Sequence, residues 1–189
     1  MKKYEFTGET KEIRLLFRTA TLHRIRATVA FGIVEVGDLG GWIEKEENLS
    51  HEGKAWVWGN AKVCGDAEVW GNAEVWGNAE VCGDAEVCGD AKVWGNAEVC
   101  GDAKVFSASH VLVIGAIGSR NDFTTFYRDK DNEITVKCGC FLGKIDRFLE
   151  KVTQTHGDSK YALVYRAAVE VAKLQIDLSG EAPKDADEE

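Results

Sequence analysis

The run Ala55-Trp56-Val57-Trp58-Gly59-Asn60-Ala61-Lys62-Val63-Cys64-Gly65-Asp66-Ala67-Glu68-Val69 opens a pattern that persists to Val105. Val recurs at 57, 63, 69, 75, 81, 87, 93, 99 and 105, Gly keeps the same step from Gly53 to Gly101, and Ala keeps it from Ala55 to Ala103. A six-residue apolar period fits neither the 3.6-residue turn of a helix nor the alternation of an ordinary strand. It fits a chain that turns a corner at every sixth residue. Within Ala73-Glu74-Val75-Trp76-Gly77-Asn78, Ala and Val alternate with Glu and Trp as the inward and outward positions of a short strand must. Gly-Asn or Gly-Asp then makes the corner, because these residues accept positive φ and the local hydrogen bonds of a tight turn. The pattern predicts a β-solenoid of about three coils.

With three sides per coil, residues eighteen apart stack in columns about 4.8 Å apart. The outward columns read Trp58, Trp76, Trp94; Cys64, Cys82, Cys100; and Trp70, Cys88, Phe106. Each Trp side chain carries about 150 to 250 Å², so three in a row exceed the few hundred Å² of apolar patch that a soluble monomer normally shows. The Trp58, Trp76, Trp94 column is therefore expected to be a self-association or partner surface, unless neighbouring residues of the N-terminal segment fold over it. In every complete repeat Trp precedes Gly-Asn and Cys precedes Gly-Asp, a linkage that duplication of a short coding unit would also leave.

Solenoid ends expose unpaired strand edges and need covers. Residues 1–50, with strand-like runs at Tyr4 to Thr7 and Leu22 to Phe31, are read as an N-terminal β cap, and 51–107 as the repeat. Residues 108–177 read as an α+β domain of three strands and two helices. Its strands are Val111 to Ile114, Phe123 to Arg128 and Ile134 to Cys138. The first helix has Ile145, Phe148, Leu149 and Val152 on one face. The second is capped by Ser159 and has Tyr161, Val164, Tyr165, Ala168, Val171 and Ala172 as its apolar face. Residues 178–189 are acidic, contain the sole proline, Pro183, and read as a disordered tail.

Composition narrows the function classes. A formal charge of −9 argues against general affinity for nucleic-acid phosphates, although residues 1–30 carry seven Lys or Arg against three Glu. No signal peptide and no apolar run of about 18 residues is present, so a soluble cytoplasmic protein without membrane contact is expected. Cys64, Cys82 and Cys100 sit where other repeats carry Trp, and reduced thiols are favoured over a disulfide or a soft-metal site. The Asp66, Asp84, Asp102 column reads as solvated corners, and Cys138 with Cys140 as core packing. Gly37 to Ile43, before the charged run Glu44 to Glu47, reads as a structural turn and not a phosphate cradle. His156 suits a helix C-terminus. No residue pattern asks for a cofactor or a metal.

The best small-molecule candidate is Gly118-Ser119-Arg120-Asn121-Asp122 followed by Thr124, Thr125 and Tyr127. A glycine turn that exposes N–H groups beside an Arg and several hydroxyls suits a small anion such as a phosphate. A plain polar hairpin connection has the same look.

The Val-x-Gly-[Asn/Asp]-Ala-x units resemble the left-handed hexapeptide β-helix of trimeric acyltransferases. That resemblance implies a left-handed parallel β-helix and a homo-oligomer, a trimer favoured. Those enzymes use a His near a loop or subunit interface, with acyl-CoA along the prism. Here no loop interrupts the repeats, and His51 and His110 only flank them. Gly37 to Ser50, the Gly-Asn-Ala repeats, Gly118 to Tyr127 and Cys138 to Phe141 resemble bacteriophage and prophage proteins of hexapeptide type, over nearly the whole chain. The resemblance implies a phage context and little chemistry; by analogy with other small soluble phage proteins, the leading expectation is a non-enzymatic accessory binding protein that counters host defence by sequestering a small, nucleotide-like ligand or blocking a host protein. The alternatives are a CoA-dependent acyltransferase with His51 or His110 as base, and an acidic DNA mimic. Lys62, Lys92 and Lys104 interrupt the acidic rows that the mimic would need.

Overall fold

The computed structural model describes residues 2–15 and 18–181. The tail expected at 178–189 lies outside the described residues from position 182 onward. The chain opens with a long antiparallel hairpin, β1 (Tyr4–Arg14) and β2 (Thr19–Ala27), and β3 (Leu39–Ile43) pairs antiparallel with β2. The hairpin is longer than the two strand-like runs seen in the sequence. Two-residue strands then follow one per repeat: β4 (Trp56–Val57), β5 (Lys62–Val63), β6 (Glu68–Val69), β7 (Glu74–Val75), β8 (Glu80–Val81), β9 (Glu86–Val87), β10 (Lys92–Val93), β11 (Glu98–Val99) and β12 (Lys104–Val105).

These strands form three parallel ladders, β3-β5-β8-β11, β4-β7-β10 and β6-β9-β12, so the repeat winds as a parallel β-solenoid. Every Val from Val57 to Val105 and every Ala from Ala55 to Ala103 is buried, and together they make one continuous core. Corner glycines such as Gly77, with φ of 71°, take the left-handed conformation that lets each side turn into the next.

The solenoid has about four turns where the repeat period counts three. The additional winding comes from β3, whose Ile43 pairs with Val63, and from Leu49, which bridges to Val69. Ile43 and Leu49 are six residues apart and fill Val positions without the glycine corners. Two extra residues before Val57 shift them out of register with the later repeats. The run read as a structural turn, Gly37 to Ile43, thus supplies a solenoid strand.

Beyond the repeat, β13 (Val111–Ile117), β14 (Asp122–Arg128), β15 (Ile134–Cys138) and β16 (Phe141–Lys144) form an antiparallel sheet in that order. The fourth strand is a correction to the expected three; it is four residues long and runs straight into a helix, which leaves little alternation to read. Helices α1 (Ile145–His156) and α2 (Lys160–Gln175) pack on one face of this sheet, with Phe126, Val136, Phe148 and Tyr165 between them. The opposite face, with Tyr127, Val111 and Val113, closes the solenoid core.

Two details of α2 differ from expectation. Ser159 occupies the N-cap position but its side chain makes no capping bond. The buried face is Ala162, Tyr165, Ala168, Val169 and Ala172, while Val164 and Val171 point to solvent at 40% and 48% exposure. No helix among the described residues is long and apolar enough to cross a membrane.

Candidate functional site

The in-register pairing of β4, β7 and β10 places Val57, Val75 and Val93 one above another. The residue after each is a tryptophan, so Trp58, Trp76 and Trp94 stand in one outward row, as the period requires. Trp58 and Trp76 are half-buried and stacked, with ring centroids 5.1 Å apart and planes at 27°. Trp76 Nε1 donates to Glu74 Oε2 at 3.2 Å, and Lys92 lies 3.5 Å from the same carboxylate. Trp94 is 64% exposed, large for so apolar a side chain.

The N-terminal cap reaches only the first end of this row. Trp56 is buried edge-on against Tyr4 and Phe31 and meets Trp58 at 6.4 Å. Phe31, Ile33, Val34, Lys54, Trp56 and Trp58 help to line a cavity of about 130 Å³, and Ile33 on its wall is 70% exposed. The row therefore runs from a covered end at Trp58 to an open end at Trp94. The contribution of Phe31 to Val34 was not legible in the sequence, because no repeat registers those residues against the tryptophans.

The seven residues of the expected anion loop do not share one surface. Ser119, Arg120, Asn121 and Asp122 are exposed at the tip between β13 and β14, where Asn121 takes φ of 50°. Ser119 Oγ approaches His156 Nε2 at 3.4 Å, and Gly118 lies under the Tyr165 ring, where any Cβ would collide at 2.0 Å. Thr124 is buried and donates from Oγ1 to Cys138 Sγ at 3.3 Å. Thr125 and Tyr127 point the other way and bond to the last coil: Thr125 Oγ1 accepts from the Glu98 N–H at 3.0 Å, and the Tyr127 hydroxyl contacts Cys100. The strand alternation of β14 separates them, since successive side chains leave opposite faces.

No protein-family model matches the chain, and no curated protein is found that is similar to it.

The remaining candidates are drawn into structural contacts. Cys64 is buried beneath Ala20, Leu22 and Trp42 of the hairpin and β3. The contact with Cys82 and burial raise the Cys64 thiol well above its ordinary pKa, and the contact with Cys100 raises that of Cys82, so both are held protonated. Protonated thiols are neither nucleophiles nor good metal ligands. Asp66 and Asp102 pair with Lys45 at 2.6 Å and Lys130 at 2.5 Å. His51 accepts from the Lys3 N–H at 3.1 Å and stacks on Tyr4, while buried His110 accepts from the Phe106 N–H at 3.3 Å. Burial lowers the pKa of both rings.

Proposed function

We propose that this chain is a binding protein that docks a protein partner on the Trp58, Trp76, Trp94 row, with Trp94 as the anchor. The observation that carries the reading is the 64% exposure of Trp94 at the open end of a row whose other two rings are already stacked. Exposed tryptophan is enriched among the residues that dominate interface energies. A solenoid side also holds its side chains on a rigid hydrogen-bonded ladder, so little conformational freedom is lost on binding. The resemblance to phage and prophage hexapeptide proteins makes a host protein inside the bacterial cell the partner, and blocking it the outcome. The acyl-transfer reading is weakened because its two candidate bases both serve as acceptors for backbone N–H groups, His51 for that of Lys3 in the N-terminal cap and His110 for that of Phe106 at the end of the repeat.

The test is site-specific photo-crosslinking in bacterial cells, with the crosslinking residue at position 94 and, as control, at Glu68 on another side. A defined adduct at 94 that Trp76→Ser weakens, while the variant still melts cooperatively above the temperature of the crosslinking, is expected. Equal labelling at the two positions overturns the reading. A second reading, capture of a small anion, draws on the approach of Ser119 to His156 beside Arg120. It requires a co-purified small molecule in native mass spectra that Arg120→Ala removes.

A further inference from the structure

Helix α2 is apolar on two opposite sides. One side is the buried face against the sheet and α1; the other carries Leu163, Val164, Ala167, Val171 and Leu174, all exposed, with Leu163 at 59% and Leu174 at 90%. Their spacing of three and four residues keeps them in one stripe. Lys160 interrupts it only at the first turn. The neighbouring charges are occupied within the chain: Lys173 bonds Glu170 at 2.9 Å, and Arg166 lies 3.5 Å from Asp158. A helix with two apolar faces and one packing partner is missing a second partner.

We infer that the outward stripe of α2 is a dimer contact and that its occupant is α2 of a second copy, running antiparallel across a two-fold axis. The sequence of the stripe is self-complementary about that axis. When Val164 meets Leu174 of the partner subunit, Ala167 meets Val171 of the partner subunit, and both pairs recur with the copies exchanged. Any antiparallel pairing of identical helices is reciprocal in this way; what this sequence adds is a register in which the exposed apolar residues of the stripe meet apolar residues of the second copy. Ala167 near the crossing has no side chain beyond Cβ, so the helices approach closely there.

The area fits a dimer of modest strength. The exposed apolar surface of the stripe is on the order of 500 Å² per copy, at the upper end of what a monomer leaves open. Two such faces with their polar rim reach about 1,200 Å², the lower limit for a specific association. The contact lies on the helical layer, apart from the tryptophan row, and stands whether or not that row binds a partner.

Sedimentation velocity of the full chain from about 1 to about 200 μM tests it. The wild type should pass from monomer to dimer, and Leu174→Glu should raise the dissociation constant at least tenfold with Tm unchanged at concentrations where both proteins are monomeric, because the side chain is 90% exposed in the single chain. Val171→Glu should do the same, while Trp94→Ser should leave the dimer intact. A wild type that stays monomeric over this range overturns the inference. So does a trimer, association insensitive to both glutamates, or a dimer lost with Trp94→Ser.

Discussion

The Tyr127 hydroxyl serves both backbone groups of Cys100, donating to the carbonyl oxygen at 2.8 Å and accepting from the N–H at 3.3 Å. Cys100 follows β11, the last rung of its ladder, whose outer edge has no further coil to pair with. At the opposite end the Tyr4 hydroxyl lies 2.9 Å from the carbonyls of both Glu46 and Leu49, and Lys3 Nζ donates to Glu52 and Ala55 carbonyls at 3.2 and 2.9 Å. A solenoid core can be extended by any number of coils, but its ends must satisfy buried backbone groups without another strand. Side chains from outside the repeat do that here.

Tyr127→Phe keeps the ring in place and strands the Cys100 N–H and carbonyl in a buried site. At about 1 to 3 kcal/mol for each of the two unsatisfied groups, the variant should lose about 2 to 6 kcal/mol in chemical denaturation. Thr125→Val removes the acceptor for the single N–H of Glu98 and should cost about 1 to 2 kcal/mol. An unchanged midpoint for Tyr127→Phe would mean that water already reaches the end of the solenoid.

The repeat was legible because its period of six belongs to the backbone: each Val, Ala and Gly has one permitted place in the coil. Trp58, Trp76 and Trp94 could be aligned from that period alone. Residues without a period were read less well. Thr125 and Tyr127 looked like ligand groups because polar side chains in a hairpin carry no mark of which face they leave from, and only docking onto Glu98 and Cys100 reveals their work. The second helix misled in a related way: Val164 and Val171 have core-like identity and spacing, yet the packed face is set by the small residues Ala162, Ala168 and Ala172, which allow close approach. A helix with apolar residues on two sides does not say from its sequence which side is taken.

Gly83 and Gly59 occupy equivalent corners, with φ of 74° and 59°, but differ in what lies above them. A Cβ on Gly83 would stand 2.8 Å from the Gly101 backbone nitrogen, whereas on Gly59 the nearest atom is 3.9 Å away. Gly59→Ala should therefore cost only the left-handed conformation, about 1 to 2 kcal/mol, and Gly83→Ala should cost well beyond that because two coils must move apart. Thermal melts of the pair check this, and equal losses would show that the coil spacing opens easily.

Asp129 is buried and organises the turn after β14. Its carboxylate accepts from the N–H groups of Asp131 and Glu133 at 3.0 and 3.2 Å, from Thr135 Oγ1 at 2.6 Å and from Lys144 Nζ at 2.6 Å. Burial pushes its pKa up, but the Lys144 bond, joined by the other donors, overrides that and holds it below the usual carboxylate value. A depressed folded pKa means stability that is full above the unfolded value of about 3.9 and is lost as pH falls through the folded one. Asp129→Asn should be less stable than wild type at pH 7, and the gap should narrow in more acidic solution. A gap that is constant down to the acid transition would show that the hydrogen bonds, and not the charge, hold the turn.

Lys3 gives a slope of the same sign at alkaline pH, but from a charge that burial penalises and not from one that the fold stabilises. It is a buried ammonium, 2% exposed, with the Phe31 ring centroid 5.1 Å from Nζ and the Glu52 and Ala55 carbonyls as acceptors. Burial lowers its pKa from 10.5 to about 8, with Glu52 pulling the other way. Between those values the unfolded chain binds the extra proton, so stability should rise with pH across that window and be penalised in full below it. Lys11, over the Trp42 ring at 4.1 Å, is lowered to about 8 as well, chiefly by burial. In melting curves at steps from about pH 7 to about pH 10, the Tm difference of Lys3→Met or Lys11→Met from wild type should therefore move steadily in favour of wild type, and that of the double variant by about the sum; taking the difference cancels the opposing slope of Cys64 and Cys82, whose raised thiols ionise only in the unfolded chain from about pH 8.5. The series should stop near pH 10, the ordinary value for tyrosine, because burial holds the Tyr4 phenol protonated and its ionisation in the unfolded chain then favours unfolding. A Lys3→Met curve parallel to wild type would mean that the two carbonyls and the Phe31 ring stabilise the ammonium enough to cancel its burial.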